Sequence, residues 1–210
     1  MQNKGNELII IAQRIRAMAQ TALAYSTNEY EIDRSNEMIA ISARIASIVS
    51  GVDEKVIHAD YHPVKEYVTP KVDIRAVIFN KQDEILLVKE KIDGKWALPG
   101  GWADVGLTPT EVIIKETKEE SGFDVRVVRL LAVLDKRCYN HPASPFYIYK
   151  LCFLCEITGR GDDALTFDIL DSGFFPLGHL PPLSTDRILP EQITLLDRLR
   201  RDPESKIYCD

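Results

Sequence analysis

Cysteine is scarce in this chain, and the few cysteines do not resemble a disulfide framework. Only Cys138, Cys152, Cys155 and Cys209 occur among 210 residues. Small secreted domains that rely on disulfides carry a higher density of cysteines in a shorter chain. The scarcity therefore favours a reducing compartment, and we expect a cytoplasmic protein.

Basic runs and long uncharged apolar stretches are also missing. The apolar run from Leu8 to Ala12 is ended by Gln13 and Arg14, so we expect neither a signal peptide nor a membrane-spanning helix. The chain has 26 Lys and Arg against 32 Asp and Glu, a formal charge of −6. We therefore expect no dedicated nucleic-acid surface, and an anionic substrate would have to be met by a metal ion and local basic residues.

Hydrophobic residues make up 45% of the chain, which is enough for one well-packed domain and a smaller unit. The smaller unit is predicted at residues 1–60, where apolar residues recur at helical spacing on both sides of a break at residues 26–28. One stripe contains Leu8, Ile11, Ile15, Met18 and Ala22, and the other contains Met38, Ile41, Ile45 and Ile48. The predicted helical hairpin turns these stripes toward each other and toward the main domain or a second copy, so we expect a homodimer.

Residues 61–70, with prolines at 63 and 70, are predicted to form a linker, and residues 71–210 an α/β domain. Strands are predicted at 72–79, 85–90, 96–98, 125–134, 146–157 and 173–175, and a last helix at 190–201. Strands on both sides of a central helix imply a mixed sheet with helices packed over it. Cys152 and Cys155 lie in one predicted strand, where residues three apart point to opposite faces, so packing is favoured over a metal or redox site.

The central helix has clear start and stop signals. Thr108 is a good N-cap, Pro109 suits the first helical position, and Glu111 completes a capping box. Gly122 fits the position just past the end. The sequence therefore predicts a helix over residues 109–121.

Three carboxylates share one face of this helix. Glu116, Glu119 and Glu120 fall within an arc of roughly 100° at helical spacing. Carboxylate oxygens suit a hard divalent cation, and a site with few protein ligands leaves room for substrate phosphates, as is usual for Mg2+. From spacing alone a solvated face, with Lys115 and Lys118 as counter-charges, is an equally good interpretation.

The glycines before the helix favour the metal site. Gly100, Gly101 and Gly106 give a backbone that can approach a ligand closely and offer a carbonyl to a metal. This stretch resembles the signature of the Nudix hydrolases, G-x5-E-x7-R-E-U-x-E-E-x-G-U, where U is apolar. The positions that match are Gly101, Glu116, Glu119, Glu120, Gly122 and Phe123. Three positions depart from it, because Leu107 replaces the first glutamate, Lys115 the arginine and Thr117 an apolar residue.

The resemblance extends over nearly the whole chain. The helical N-terminal part, the segments 69–75 and 98–107, and the loop at 140–146 are similar to a bacterial Nudix subgroup that includes CDP-choline pyrophosphatases. Leu107 is normal for that subgroup. The resemblance implies an α/β/α sandwich preceded by a small all-α domain, and cleavage of a nucleoside diphosphate linked to another group. CDP-choline is the first substrate to expect and ADP-ribose the second.

The resemblance also implies roles for particular residues, with Mg2+ or Mn2+ as cofactor. Glu116, Glu119 and Glu120 would hold metal, with the carbonyl of Gly101 as a further ligand. Glu120 or Glu119 would support the base through a metal-bound water, and Asp171 is a second candidate base, although a simple turn residue is the favoured interpretation.

Substrate contacts are harder to place. The candidates are Arg75, Trp102, Arg137, Tyr139 and His141. The cations could bind phosphate and the aromatic rings could stack on a base or face a quaternary ammonium, while surface ion pairs, a satisfied histidine and ordinary packing are equally good interpretations. Two other functions stay open: a Nudix-like module that binds a nucleotide without cleaving it, and a nucleoside triphosphate pyrophosphatase.

Overall fold

A computed structural model describes residues 2–60, 67–161 and 166–210. By packing, the chain divides into two units, of which the first consists of Met1–Pro70 together with Pro142–Tyr147. The second unit consists of Lys71–His141 and Ile148–Asp210. The sequence patterns had placed the short segment Pro142–Tyr147 in the C-terminal domain, whereas its packing places it with the N-terminal helices. Positions 61–66 of the predicted linker lie outside the described residues.

Where the structure describes the first unit, it forms the helices α1 (Gln2–Tyr25), α2 (Glu29–Ser50) and α3 (Glu54–Asp60). The break between α1 and α2 is fixed by Asn28, whose side chain accepts a hydrogen bond from the backbone N–H of Tyr30 at 3.0 Å. Gly51 ends α2 with a φ of 73° and donates its N–H to Ser47. The predicted all-α N-terminal part is confirmed.

The buried faces of α1 and α2 are not the predicted stripes. The shared core of this unit consists of Ile9, Ala19, Leu23, Ile39, Ala43, Ala46 and Ile57. Alanine lets two helices approach closely, so the larger apolar side chains stay on their outer faces. More than a third of the surface is exposed for Leu8, Ile11, Met18, Met38, Ile41 and Ile48. Most residues of the predicted stripes therefore face away from the contact between the two helices, whereas Ile15, Ala22 and Ile45 are half-buried.

The segment Pro142–Tyr147 completes this core. Ala143 and Phe146 pack against the helices, and the guanidinium of Arg16 lies 5.6 Å from the centre of the Phe146 ring. The amide of Gln13 donates to the backbone carbonyl of Ser144 at 2.8 Å. The loop is thus held by an apolar contact and by a hydrogen bond.

The described residues of the second unit form seven strands and two α-helices, besides short 3-10 helices. They are β1 (Lys71–Ile78), β2 (Glu84–Glu90), β3 (Trp96–Ala97), α4 (Pro109–Ser121), β4 (Phe123–Asp135), β5 (Ile148–Arg160), β6 (Ile169–Pro176), α5 (Pro190–Arg201) and β7 (Tyr208–Cys209). One sheet has the order β1-β5-β4-β7 and the other the order β3-β2-β6. Since β1 pairs with β5 in parallel and β4 with β5 antiparallel, the larger sheet is mixed, as predicted. Strand β5 begins at Ile148 rather than at Phe146, and β6 is longer than its predicted three residues.

Helices cover both faces of the larger sheet. Val112 and Ile113 of α4 pack on one face with Ile74 and Cys155, while α5 joins a second core that contains Cys152. The two cysteines therefore lie on opposite faces as the strand period requires, and burial raises the pKa of each thiol to about 12. Within the described residues no helix is both long and apolar enough to cross a membrane.

Candidate active site

The acidic helix α4 is capped as its sequence predicts. The hydroxyl of Thr108 accepts the N–H of Glu111 at 3.3 Å, and the Glu111 carboxylate accepts the N–H of Thr108 at 2.7 Å. At the other end Gly122 has a φ of 74° and donates its N–H to Lys118. The local sequence therefore determines where the helix that carries the carboxylates begins and ends.

The glycine loop before α4 is tied to strand β1. The N–H of Ile74 donates to the carbonyl of Gly101, and that of Ala76 to the carbonyl of Pro99, both at 2.8 Å. Gly100 has a φ of 128°, and a Cβ there would lie 2.1 Å from the Ile74 carbonyl oxygen. Only glycine fits this close approach of two backbone segments.

Glu120 lies under this loop and is the most buried of the three carboxylates. Its side chain accepts the N–H of Gly100 at 2.7 Å, and the residue is 6% exposed. Burial, together with the charges of Glu116 and Glu90, raises its pKa to about 8, although Arg75 and the Gly100 N–H act in the opposite direction. A cation that reaches this carboxyl group would stabilise its charged form.

Glu116 and Glu119 lie further toward solvent. A Cβ on Gly101 would stand 3.3 Å from a Glu116 carboxylate oxygen, so Glu116 borders the glycine loop. Burial and the neighbouring Glu119 raise the pKa of Glu116, against the effect of Lys115. The side chain of Glu119 is exposed. The three carboxylates are therefore near enough for their charges to interact.

The oxygen-rich set suits a divalent cation, but it is not a preformed cage. Across the described parts of the chain, no three Asp, Glu, His or Cys side chains converge closely enough to hold a metal ion. The carbonyl of Gly101 already accepts the Ile74 N–H, which leaves it one lone pair. Glu116, Glu119 and Glu120 would have to rotate toward a common point, and a bound cation would favour this by offsetting the repulsion among them.

Arg75 is almost fully buried, and its charge interacts with that of Glu120. Its Nε bonds the carboxylate of Asp73 at 2.8 Å, and its Nη1 donates to the backbone carbonyl of Leu98 at 2.9 Å. The ammonium group of Lys150 pairs with the other carboxylate oxygen of Asp73. Although burial raises the pKa of Asp73, these two cations hold it below its usual range.

The sequence reasoning missed Asp73 and Lys150. Both lie on buried strands at positions directly opposite each other in the β1–β5 register. A charged residue at an inward position of an apolar strand is the signal that could have found them, since such residues are rarely buried without a partner. Their pairing, across 77 positions of sequence, is visible only in the folded chain.

Two of the substrate candidates are accessible. Trp102 follows the glycine loop and is 50% exposed, with the ammonium group of Lys71 at 5.5 Å from its ring centre. Arg137 lies in a short 3-10 helix and pairs with Asp135 at 3.3 Å. Trp102 can therefore still offer aromatic surface, whereas Arg137 already has the surface ion pair that the sequence allowed for.

Tyr139 and His141 form a separate cluster. The Tyr139 hydroxyl donates to Asp210 at 3.0 Å, and its ring meets the His141 ring edge-on at 6.3 Å. Nδ1 of His141 lies 2.7 Å from the carbonyl of Thr185, an acceptor, so this nitrogen carries the proton. Burial, with the charges of Lys150 and Lys136, lowers the pKa of His141 to about 4. The Nε2 atom has no hydrogen-bond partner among the described residues.

Asp171 lies inside β6, opposite Lys89 of β2, and not in a turn before a strand. Its carboxylate accepts the N–H of Ser172 at 2.8 Å, and the residue is exposed. The favoured interpretation as a turn residue is therefore wrong. Its role as a second base stays a prediction.

The positions that depart from the Nudix signature have clear surroundings. Lys115 pairs with Asp104 at 2.9 Å and approaches Glu116 at 3.6 Å, so a cation still stands beside the helix carboxylates. Leu107 is partly exposed at the turn into α4, and Thr117 is buried. An apolar side chain at position 107 is thus not required by the core.

The fold and the acidic helix define the class of this protein, and comparison with known families agrees. Residues 69–197 match the NUDIX domain, and residues 6–59 match the UDP-X-like, N-terminal oligomerisation domain. The chain belongs to the Nudix family and is a Nudix hydrolase.

Two similar proteins match this chain over almost its whole length, and a third matches about two thirds of it. The chain is 42% identical over 200 residues, 95% of each chain, to a Bacillus subtilis protein named "Putative ADP-ribose pyrophosphatase YjhB". A crystal structure of a UDP-X diphosphatase covers 98% of this chain and 99% of its own, with 31% identity and a TM-score of 0.62. An ADP-ribose pyrophosphatase from Streptococcus suis covers 68% of this chain and 100% of its own, with 37% identity and a TM-score of 0.58.

Proposed function

We propose that this Nudix hydrolase cleaves the diphosphate bridge of a nucleoside diphosphate linked to another group, in a reaction that depends on Mg2+ or Mn2+. The observation that supports it best is Glu120, a buried carboxyl group held against the glycine loop by the Gly100 N–H at 2.7 Å. A site that only binds a nucleotide has no need to bury a carboxylate beside two others. The alternative of a binding module without catalysis is therefore less well supported.

The residues of the site divide the reaction among them. Glu116, Glu119 and Glu120 would hold the cation, which when bound neutralises phosphoryl oxygens and activates water. Water forms a bond to one phosphorus, the bond from that phosphorus to the bridging oxygen breaks, and the leaving phosphate keeps the bridge electrons. The nucleophilic water gives up its proton to a carboxylate, for which Glu120, Glu119 and Asp171 are the candidates.

ADP-ribose becomes the first substrate to test and CDP-choline the second. The sequence resemblance alone suggested the reverse order, but two relatives of high coverage carry the name ADP-ribose pyrophosphatase. Trp102, half-exposed beside the glycine loop, is the proposed contact for an aromatic base or a cationic head. Such contacts contribute about 0.5–2 kcal/mol, so one preferred substrate within a broad activity is the expected pattern.

The test is a substrate panel with purified protein and Mg2+ or Mn2+. ADP-ribose should give AMP and ribose 5-phosphate, and CDP-choline should give CMP and phosphocholine. A Glu120→Gln preparation, purified in the same way, serves as the control for contaminating hydrolases. If nucleoside triphosphates are cleaved to monophosphates while both X-linked compounds stay intact, the triphosphate pyrophosphatase alternative replaces this proposal.

The helical unit is proposed to join two copies of the chain into a homodimer. The match of residues 6–59 to an oligomerisation domain and the outward-facing apolar side chains of α1 and α2 support this. No partner other than a second copy and a small-molecule substrate is proposed.

A further inference from the structure

A cluster of charges is buried where the second unit would otherwise be apolar. Asp73, Arg75 and Lys150 are exposed by 4%, 6% and 2%, and they lie on the adjacent strands β1 and β5. Next to them Ala132 and Cys152 belong to the hydrophobic core. Three ionised side chains have therefore been taken out of water at neighbouring positions.

Such a cluster is poor evidence for stability. The desolvation of buried ions often exceeds their mutual attraction, and replacing them with apolar residues of similar size is often neutral or stabilising. The two cations and one anion are balanced only if further negative charge lies close. The charges that act on Arg75 besides Asp73 are those of Glu120 and Glu90.

The guanidinium of Arg75 joins the cluster to the glycine loop. It donates to the carbonyl of Leu98, and the next backbone contact along the chain is the Ala76 N–H on the carbonyl of Pro99. One residue further, the N–H of Gly100 binds Glu120. Arg75 thus donates a hydrogen bond to the loop at Leu98. Its charge also acts on Glu120, which the same loop binds through Gly100.

We propose that Arg75 is a positioning residue: held by Asp73 and Lys150, it fixes the loop 98–101 and the Glu120 carboxylate in the geometry that binds the divalent cation. This inference rests on the proposed function. It differs from a substrate contact, because Arg75 is only 6% exposed and its Nε and Nη1 atoms donate to Asp73 and Leu98 inside the protein. It also separates Arg75 from Lys115, which is turned toward Asp104 and Glu116 on the solvent side of α4.

The decisive variant is Arg75→Gln, compared with Arg126→Gln. Arg126 lies on β4 in an exposed ion pair with Glu156, so its loss controls for the removal of one arginine from the sheet. For Arg75→Gln we expect kcat to fall at least about tenfold, the affinity for Mn2+ to weaken by roughly tenfold, and KM to change less than about threefold. Arg126→Gln should leave all three values within about twofold of wild type.

Two results would overturn the proposal. A rise in KM of roughly tenfold or more with kcat and Mn2+ affinity unchanged would make Arg75 a substrate contact. A folded Arg75→Gln protein with the kcat, KM and Mn2+ affinity of wild type would show that Arg75 does not position the site. Folding is checked by circular dichroism and by the melting temperature of the metal-free protein.

Two further variants keep the test informative if Arg75→Gln does not fold. Arg75→Lys keeps the charge but cannot bond both Asp73 and Leu98 through a planar fork, so kcat should still fall about tenfold while Mn2+ affinity falls less. The triple variant Asp73→Leu, Arg75→Met, Lys150→Met should keep its melting temperature within a few degrees and lose activity. Full activity in either folded variant would contradict positioning by Arg75.

Failure of the proposed function is distinguishable from failure of this inference. If wild type cleaves no nucleoside diphosphate, the function is wrong, yet Mn2+ affinity of the wild-type and Arg75→Gln proteins still tests the positioning role. If wild type cleaves its substrate and Arg75→Gln matches it in kcat and in Mn2+ affinity, the function stands and the positioning role is wrong.

Discussion

At the scale of single residues, burial of the Glu120 carboxyl group opposes its ionisation but places it where it could bind a cation. Buried under the Gly100 N–H, it has a pKa of about 8 in the metal-free protein. In the unfolded chain a glutamate ionises near pH 4.5, so between these values the folded state binds more protons than the unfolded state. The free energy of unfolding therefore falls as pH rises through this window.

The first prediction is that Glu120→Gln removes activity without weakening the metal-free fold. Glutamine keeps the size and an acceptor for the Gly100 N–H but never carries the buried charge. We expect kcat to fall at least about a hundredfold, while stability at pH 8 equals or exceeds that of wild type. Turnover and denaturant unfolding measure the two effects. Glu156→Gln, on the exposed side of β5, is the matched control, and near-normal turnover in a folded Glu120→Gln protein would eliminate the assignment.

His141 gives a pH dependence of opposite sign. Its folded pKa of about 4 lies below the ordinary value of 6.5, so below pH 6.5 the unfolded state takes up the proton first. The stability due to the neutral ring is complete above pH 6.5 and is lost as pH falls toward 4, by about 3 kcal/mol at most.

The second prediction is that lowering the pH from 7.5 to 5 changes the stability of His141→Gln more favourably than that of wild type, because Glu120 contributes equally to both proteins. Glutamine can still donate to the Thr185 carbonyl, but it has no proton to gain in this range. Urea unfolding of wild type, His141→Gln and the exposed control His58→Gln at both pH values measures the difference. An equal change of stability in wild type and His141→Gln would contradict the buried, neutral state of the ring.

At the scale of single elements, the loop and helix around the site depend on two kinds of glycine. Gly100 has both a positive φ and a backbone neighbour at 2.1 Å from a would-be Cβ. Gly106 has a φ of 94° but open space around it. A substitution at Gly106 therefore introduces backbone strain alone, whereas one at Gly100 introduces backbone strain and a steric clash.

The third prediction compares Gly100→Ala with Gly106→Ala. Alanine at 106 should cost about 1 kcal/mol of stability and leave most of the activity, because only the positive φ opposes it. Alanine at 100 must move the loop off Ile74, which breaks the Gly100 contact with Glu120, so kcat should fall at least roughly tenfold more than in Gly106→Ala. Equal activities in the two folded variants would show that the loop does not set the position of Glu120.

Elements governed by local sequence could be predicted, and those governed by distant partners could not. The bounds of α4 follow from Thr108 and Glu111 at its start and from Gly122 at its end, each of which bonds within one turn of the helix. The prediction of the buried faces of α1 and α2 was wrong, because the contact is formed by Ala19, Ala43 and Ala46 with a few larger residues outside the predicted stripes. The pairing of Asp73 with Lys150 depends on which strands become neighbours, and no local pattern contains that information.

At the scale of the whole molecule, the two units contribute different features. The second unit supplies the carboxylates and the glycine loop, while the first supplies helices whose apolar side chains exceed what their own core buries. Met18 and Ile48 are exposed by 69% and 75%, on α1 and α2 respectively. Exposed apolar surface of this kind is usually covered by a partner, and symmetric dimers are the commonest arrangement.

The last prediction is that Met18→Glu with Ile48→Glu converts a dimer into a monomer. Two carboxylates placed in an apolar interface would have to be desolvated on association, whereas at a free surface they cost little. Ile92→Glu, a residue of the second unit that is 79% exposed, is the control and should leave the dimer intact. Sedimentation velocity at micromolar concentration measures all three proteins, and deletion of the residues before Asp60 should give a monomer or an aggregate. A wild-type protein that sediments as a monomer would rule out the dimer, and a dimeric double variant would place the interface elsewhere on the chain.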